Sequence, residues 1–133
     1  MNFEIVMYYV IKRGFCMDID KILTLPVKQQ KWINEYMPSD RMIVKLANFF
    51  NMFSDVTRIK ILTALCISDM CVNDLSVVLN LNQTTVSHQL KFLRNCGAVT
   101  TSRSGKLIYY KITTDIINDV MLGGVDYLSS KCI

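Results

Sequence analysis

Apolar side chains recur at helical spacing along most of the chain, and the pattern changes near Gly97. Val86, Leu90 and Leu93 fall at i, i+4 and i+7, which predicts a helix with one packed side. Thr84, Thr85, Ser87, His88, Gln89, Lys91 and Arg94 occupy its other faces. Asn82 stands at its N-cap, placed to accept from the backbone N–H of Thr84 or Thr85. Past Gly97 two strand-like runs follow, Ala98 to Ser102 and Leu107 to Ile112, separated by the turn Arg103-Ser104-Gly105-Lys106.

Upstream, Pro26 fits the first turn of a short helix to about Tyr36, with Val27, Ile33 and Tyr36 expected inward; Pro38 ends it. Ser39 or Asp40 caps a second helix, whose Ile43, Leu46, Ala47, Phe50 and Phe53 form a stripe wide enough for a partner as well as the core. Ser54 or Asp55 caps a third, ending near Cys66, with Val56, Ile59, Leu62 and Leu65 expected buried and Arg58 and Lys60 projecting away. A fourth, from about Val72 to Leu79, is expected to bury Leu75, Val78 and Leu79, and Asn80 falls where a left-handed residue is needed. Two helices joined by so tight a turn predict a helix-turn-helix, and the basic-tipped hairpin after it completes the outline of a winged helix. The expected fold is mainly α with a small β-hairpin (α+β). Thr113 or Thr114 caps a last helix bearing Ile116, Ile117, Val120, Met121, Val125 and Leu128. Gly123-Gly124 in its middle cost roughly 1 kcal/mol each relative to alanine, so a bend or a close backbone neighbour is expected, preferably a dimer contact.

A chain of 133 residues builds one core, read as an N-terminal extension over 1–38 and a winged helix-turn-helix domain with a dimerisation helix over 39–131. Hydrophobic residues make up 51% and charged residues 20%, a surplus of apolar surface that a homodimer would cover. The opening run M-N-F-E-I-V-M-Y-Y-V-I is interrupted by Glu4, followed rather than preceded by cations, and too short to span a bilayer; the expectation is a cytoplasmic protein with no membrane partner. Met17-Asp18 offers a second start, which leaves open whether residues 1–16 belong to the native protein. Cys16, Cys66, Cys71, Cys96 and Cys132 are odd in number and irregular in spacing, as free thiols are; Cys96 is expected in the core. From Leu75 to Thr114 there is no Asp or Glu, while Lys91, Arg94, Arg103, Lys106 and Lys111 give that segment +5 in a chain of +4. Such a surface suits a polyanion, because each cation set on a phosphate releases a condensed counterion.

Three blocks carry a family resemblance: F-N-M-F-S-D-V-T-R-I-K-I-L from Phe50, C-V-N-D-L-S-V-V-L-N-L-N-Q-T-T-V-S-H-Q-L from Cys71, and Gly97 to Tyr110 with its Gly105-Lys106 wing. Over Ala47 to Ile112 the chain resembles the ArsR/SmtB winged-helix repressors. The resemblance implies a homodimer on palindromic operator DNA that an inducer releases. It implies Gln83, Thr84, Thr85, Ser87, His88 and Gln89 near base edges or phosphates, Lys91 and Arg94 near phosphates, and Arg103 and Lys106 on the wing. Ser87 and His88 have a second reading, as braces inside the helix-turn-helix.

The sensor positions depart from the family. Its thiolate site begins with a C-V-C-D type stretch, where this chain has Cys71-Val72-Asn73-Asp74. One thiolate does not hold a soft metal or metalloid, which takes three or four donors; Cys16 is a weaker candidate for a second. On the last helix Asp115 survives, but the next ligand position is Ile117, and His88 is the chain's single histidine, so a histidine-rich zinc site is excluded. Cys66 and Cys132 are the pair for a thiol switch across a dimer. The inducer thus stays open between a thiophilic ion, an oxidant, another ligand and none. A protein-interaction module on the same scaffold is the alternative; it would expose apolar side chains where this chain has polar and cationic ones. An enzyme is not expected, since no glycine-rich phosphate loop or paired carboxylates in an apolar setting occur.

Overall fold

A computed structural model describes residues 25–131. Cys16, the opening apolar run, the second start and Cys132 lie outside the described residues. The chain divides into two compact units, Met1–Ala47 and Asn48–Ile133.

In the first unit, α1 spans Val27–Tyr36 behind Pro26, whose carbonyl accepts from the backbone N–H groups of Gln29 and Gln30 at 2.9 and 3.1 Å. It buries no side chain, against the expectation for Val27, Ile33 and Tyr36: the first two are exposed and Tyr36 is half-buried. At 100° per residue Val27 lies opposite Trp32, Ile33 and Tyr36, so these side chains do not form one stripe. The helix α2, Asp40–Asn51, begins at Ser39, whose Oγ accepts from the Met42 N–H at 3.4 Å. None of its residues is buried, and Ile43, Leu46 and Phe50 are exposed.

The second unit holds the core. Phe49 and Phe53 pack edge to face, with ring centroids 5.4 Å apart, and lean on buried Met52 and its neighbours, while Phe50 stays outside. Asp55 caps α3, Val56–Ile67, accepting from the Arg58 N–H at 2.9 Å. Its buried face is Ile61, Leu62, Ala64 and Leu65, whereas Val56 is 71% exposed and Ile59 41%. The expected stripe of Val56, Ile59, Leu62 and Leu65 fails because a strict three-residue spacing drifts about 60° per step, so its ends face opposite ways. The helix α4, Val72–Leu79, buries Leu75 fully, but Val78 is 65% exposed, contrary to expectation. Ile59, Ile67 and Val78 instead line an open apolar groove of about 440 Å³ between α3 and α4.

Asn80 adopts the left-handed conformation at φ 52° and ends α4, and Asn82 opens α5, Gln83–Asn95, accepting from the Thr84 N–H at 2.7 Å. Val86, Leu90 and Leu93 are fully buried against Ile61, Leu62 and Leu75. The hairpin follows: β1 (Val99–Ser104) pairs antiparallel with β2 (Leu107–Ile112), Val99 opposite Ile112 and Ser104 opposite Leu107. Tyr110 exchanges two backbone hydrogen bonds with Met70, at 2.9 and 3.2 Å, which pins the hairpin to the α3–α4 connection. Thr113 Oγ1 donates to the Gly97 carbonyl at 2.7 Å and closes the hairpin's base. Thr114 caps α6, Ile116–Lys131, accepting from the Ile116 N–H at 3.1 Å.

Of α6 only Ile117 is buried; Leu122, Val125, Tyr127 and Leu128 are exposed. The helix is continuous through Gly123-Gly124, and among the described residues a Cβ at either would meet nothing within 4 Å, so no described backbone approaches there. Cys96, expected in the core, is exposed at the C-cap of α5, where the chain leaves the helix through Gly97 at φ 76°. No helix among the described residues is long and apolar enough to cross a membrane.

Leu90→Ala should lower unfolding stability by about 2–5 kcal/mol, the range for deleting a fully buried leucine side chain. Denaturant melts check it; a loss under about 1 kcal/mol would contradict the packing of α5.

Candidate nucleic-acid interface

Burial of Val86, Leu90 and Leu93 fixes the rotation of α5, and that rotation decides what solvent meets. Gln83, Thr84, Thr85, Ser87, His88, Lys91 and Arg94 are exposed, and Gln89 is half-buried. The face therefore begins with amide and hydroxyl groups at the N-terminal end and gains cations toward the C-terminal end. Arg103 and Lys106 are exposed at the hairpin tip, where Gly105 takes φ 60°. Arg103 Nε donates to the Gly105 carbonyl at 3.1 Å, which curls its stem over the turn. Lys111, on β2 opposite Thr100, is exposed as well. No large apolar side chain is exposed anywhere over residues 80–106. The expected site residues thus fall on two adjoining elements of one unit, with Gln89 turned partly inward.

Two contacts hold this face from behind. Gln83 Nε2 donates to Asn73 Oδ1 on α4 at 3.0 Å, which ties the start of α5 to the preceding helix. Arg58 was expected to project away, and instead it is half-buried and reaches both the end of α2 and the middle of α5. A signal for this lies in the sequence: Arg58, Leu62 and Leu65 fall at i, i+4 and i+7, on the buried side of α3.

The described thiols, Cys66, Cys71 and Cys96, are free. Cys71 is buried at the N-cap of α4, Cys66 is half-buried, and burial raises the pKa of the Cys66 thiol above its ordinary value. Among the described residues no three His, Cys, Asp or Glu side chains gather closely enough to hold a metal ion. Beside Cys71, the position that would provide a second thiolate is Asn73, whose amide is engaged with Gln83. On α6, Ile117 is 1% exposed and serves the core where a ligand would be needed, and Asp115 is exposed just before the helix. The described donor set does not fit a soft cation.

Comparison with known proteins agrees with this geometry. Residues 55–101 match the family described as "Bacterial regulatory protein, arsR family". The cadmium resistance transcriptional regulatory protein CadC of Listeria innocua is 36% identical over 83 residues, covering 62% of this chain and 70% of that protein. The transcriptional repressor SdpR of Bacillus subtilis is 35% identical over 72 residues, 54% of this chain and 80% of its own length. Among solved structures, a homodimeric winged helix-turn-helix DNA-binding domain from Mycobacterium bovis aligns with a TM-score of 0.62 at 24% identity, over 71% of this chain and 94% of that one.

The thiol environments predict an order of reactivity. In the native reduced protein at neutral pH, iodoacetamide should label Cys96 well before Cys66 or Cys71, since burial restricts access and a raised pKa depletes the thiolate about tenfold per unit. Peptide mapping reads the order; equal rates at Cys66 and Cys96 would contradict it.

Proposed function

The chain belongs to the arsR family of bacterial regulatory proteins, and from that premise we propose that it acts as a homodimeric repressor of transcription. In this reading each protomer lays α5 in the major groove of operator DNA and rests its hairpin tip on flanking phosphates. The single observation that carries it is the acid-free face: α5 and the hairpin expose Lys91, Arg94, Arg103, Lys106 and Lys111 with no carboxylate over Leu75 to Thr114. Gln83, Thr84, Thr85, Ser87 and His88, exposed on the first half of α5, are the groups for base edges and nearby phosphates, and Gln89 borders them. Lys91, Arg94, Arg103 and Lys106 position the backbone and set the salt dependence.

Two apolar faces support the dimer. In the first unit Ile43 and Leu46 of α2 are exposed, and in the second Leu122, Val125, Tyr127 and Leu128 of α6 are. A partner protomer covering them would account for the hydrophobic surplus of the composition, and Gly123-Gly124 gives that partner a flat stretch of α6. Operator occupancy by such a dimer represses by excluding the transcription machinery.

The CadC relative bears cadmium resistance in its name, and Cys71 keeps one thiol where the family resemblance places a two-cysteine stretch. A thiophilic inducer in this chain draws further thiolates from outside the described residues, Cys16 among them, or from the partner protomer; a thiol switch would run through Cys66 and Cys132.

Replacing Arg103 and Lys106 together by alanine should weaken binding to every duplex and make the slope of log K against log salt shallower by about two, since each phosphate contact contributes about −0.9. Gln83→Ala or Thr85→Ala should instead relax base preference. An unchanged slope in the double variant would remove the wing from the interface.

A further inference from the structure

Arg58 joins four groups on two sides of the second unit. Its Nε donates to the Met52 carbonyl at 3.1 Å and Nη2 to the Asn51 carbonyl at 2.9 Å. Nη1 donates to Gln89 Oε1 at 3.4 Å, and the guanidinium carbon stands 4.5 Å from the centroid of the Phe92 ring. The root of the side chain is fixed too, because its backbone N–H donates to Asp55 Oδ1. Asn51 and Met52 mark the C-terminal end of α2, where carbonyls lack intrahelical donors and carry partial negative charge that a guanidinium complements. Gln89 and Phe92, three residues apart on α5, share one side of that helix. A planar fork with five N–H donors spans both sets at once, whereas an ammonium lacks that fixed fork and would not hold both in one geometry.

We infer that Arg58 is a positioning residue for operator recognition, locking α5 to the end of α2 without touching DNA. The inference rests on the repressor reading, in which α2 contributes to the dimer. A dimer fits its operator only when its two recognition helices match the spacing of the half-sites, so a rigid link from the α2 end to α5 sets which spacing is accepted. The side chain stands behind α5, with its hydrogen-bonding edges turned to Asn51, Met52 and Gln89. Its loss therefore acts on geometry rather than on phosphate charge.

The test uses the full chain and duplexes that the parent protein selects from a random library, remade with one base pair added or removed between the half-sites. Arg58→Lys keeps the charge and loses the fork. It should bind the selected duplex about tenfold more weakly, discriminate poorly between spacings, and retain the parent's salt slope and its affinity for unselected duplex. A folded Arg58→Lys protein with the parent's affinity and spacing preference overturns the inference, as does an equal loss on selected and unselected duplexes. Should that variant fail to fold, Phe92→Leu removes the ring face and keeps apolar bulk: blunted spacing discrimination supports the link, and parental discrimination overturns it. A parent protein that selects no duplex overturns the repressor reading itself, and this inference with it.

Discussion

A recognition helix must be held firmly along one edge while the rest of its circumference stays free for a ligand. Val86, Leu90 and Leu93 provide that edge here, each fully buried. Burying aliphatic side chains of this size is worth about 1.5–3 kcal/mol apiece, enough to fix the rotation of α5 against Ile61, Leu62 and Leu75. Once that rotation is set, the polar side chains have no choice of face. The Asn80 turn, the Asn82 cap and the Gln83–Asn73 contact then fix where the helix begins and how it leaves α4.

The hairpin depends on the same body by a different route. Two strands alone are marginal in water, so its place must come from attachments. Val99 joins the core, Met70 and Tyr110 bridge to the α3–α4 connection, and Thr113 ties the base to Gly97. The cationic tip is thereby held relative to α5, and in the proposed repressor positive charge from these two elements acts on one polyanion. With no carboxylate over Leu75 to Thr114, nothing in that stretch neutralises the field.

Much of this was legible in the sequence because it is local. Helical spacing gave the buried edge of α5, Asn80 and Asn82 punctuated the turn, and Gly105 marked the tip, all from side chains acting on their own neighbourhood. Contacts with distant partners leave little mark on the local pattern. The Met70–Tyr110 bridge joins backbone groups 40 residues apart and leaves no trace in side-chain pattern. The charge of Arg58 suggests solvent, whereas its spacing with Leu62 and Leu65 points inward, and the Asn51 and Met52 carbonyls receive it there. Val27 and Ile33 of α1, expected inward, are exposed in a single protomer, and so is the far half of α6, where Gly123-Gly124 favours a dimer contact. The candidate site shares this division: the family resemblance implies the residues on α5 and the wing, while the contacts that hold them from behind leave no such mark in the sequence.

In the proposed repressor the first half of α5 and the hairpin tip together meet duplex DNA. Backbone amide shifts of the ¹⁵N-labelled protein titrated with a selected duplex test it most directly. The largest changes should fall over Gln83 to Lys91 and Arg103 to Lys106, with small ones along the groove of Ile59, Ile67 and Val78. Changes concentrated on that groove, with α5 and the tip unmoved, would contradict it.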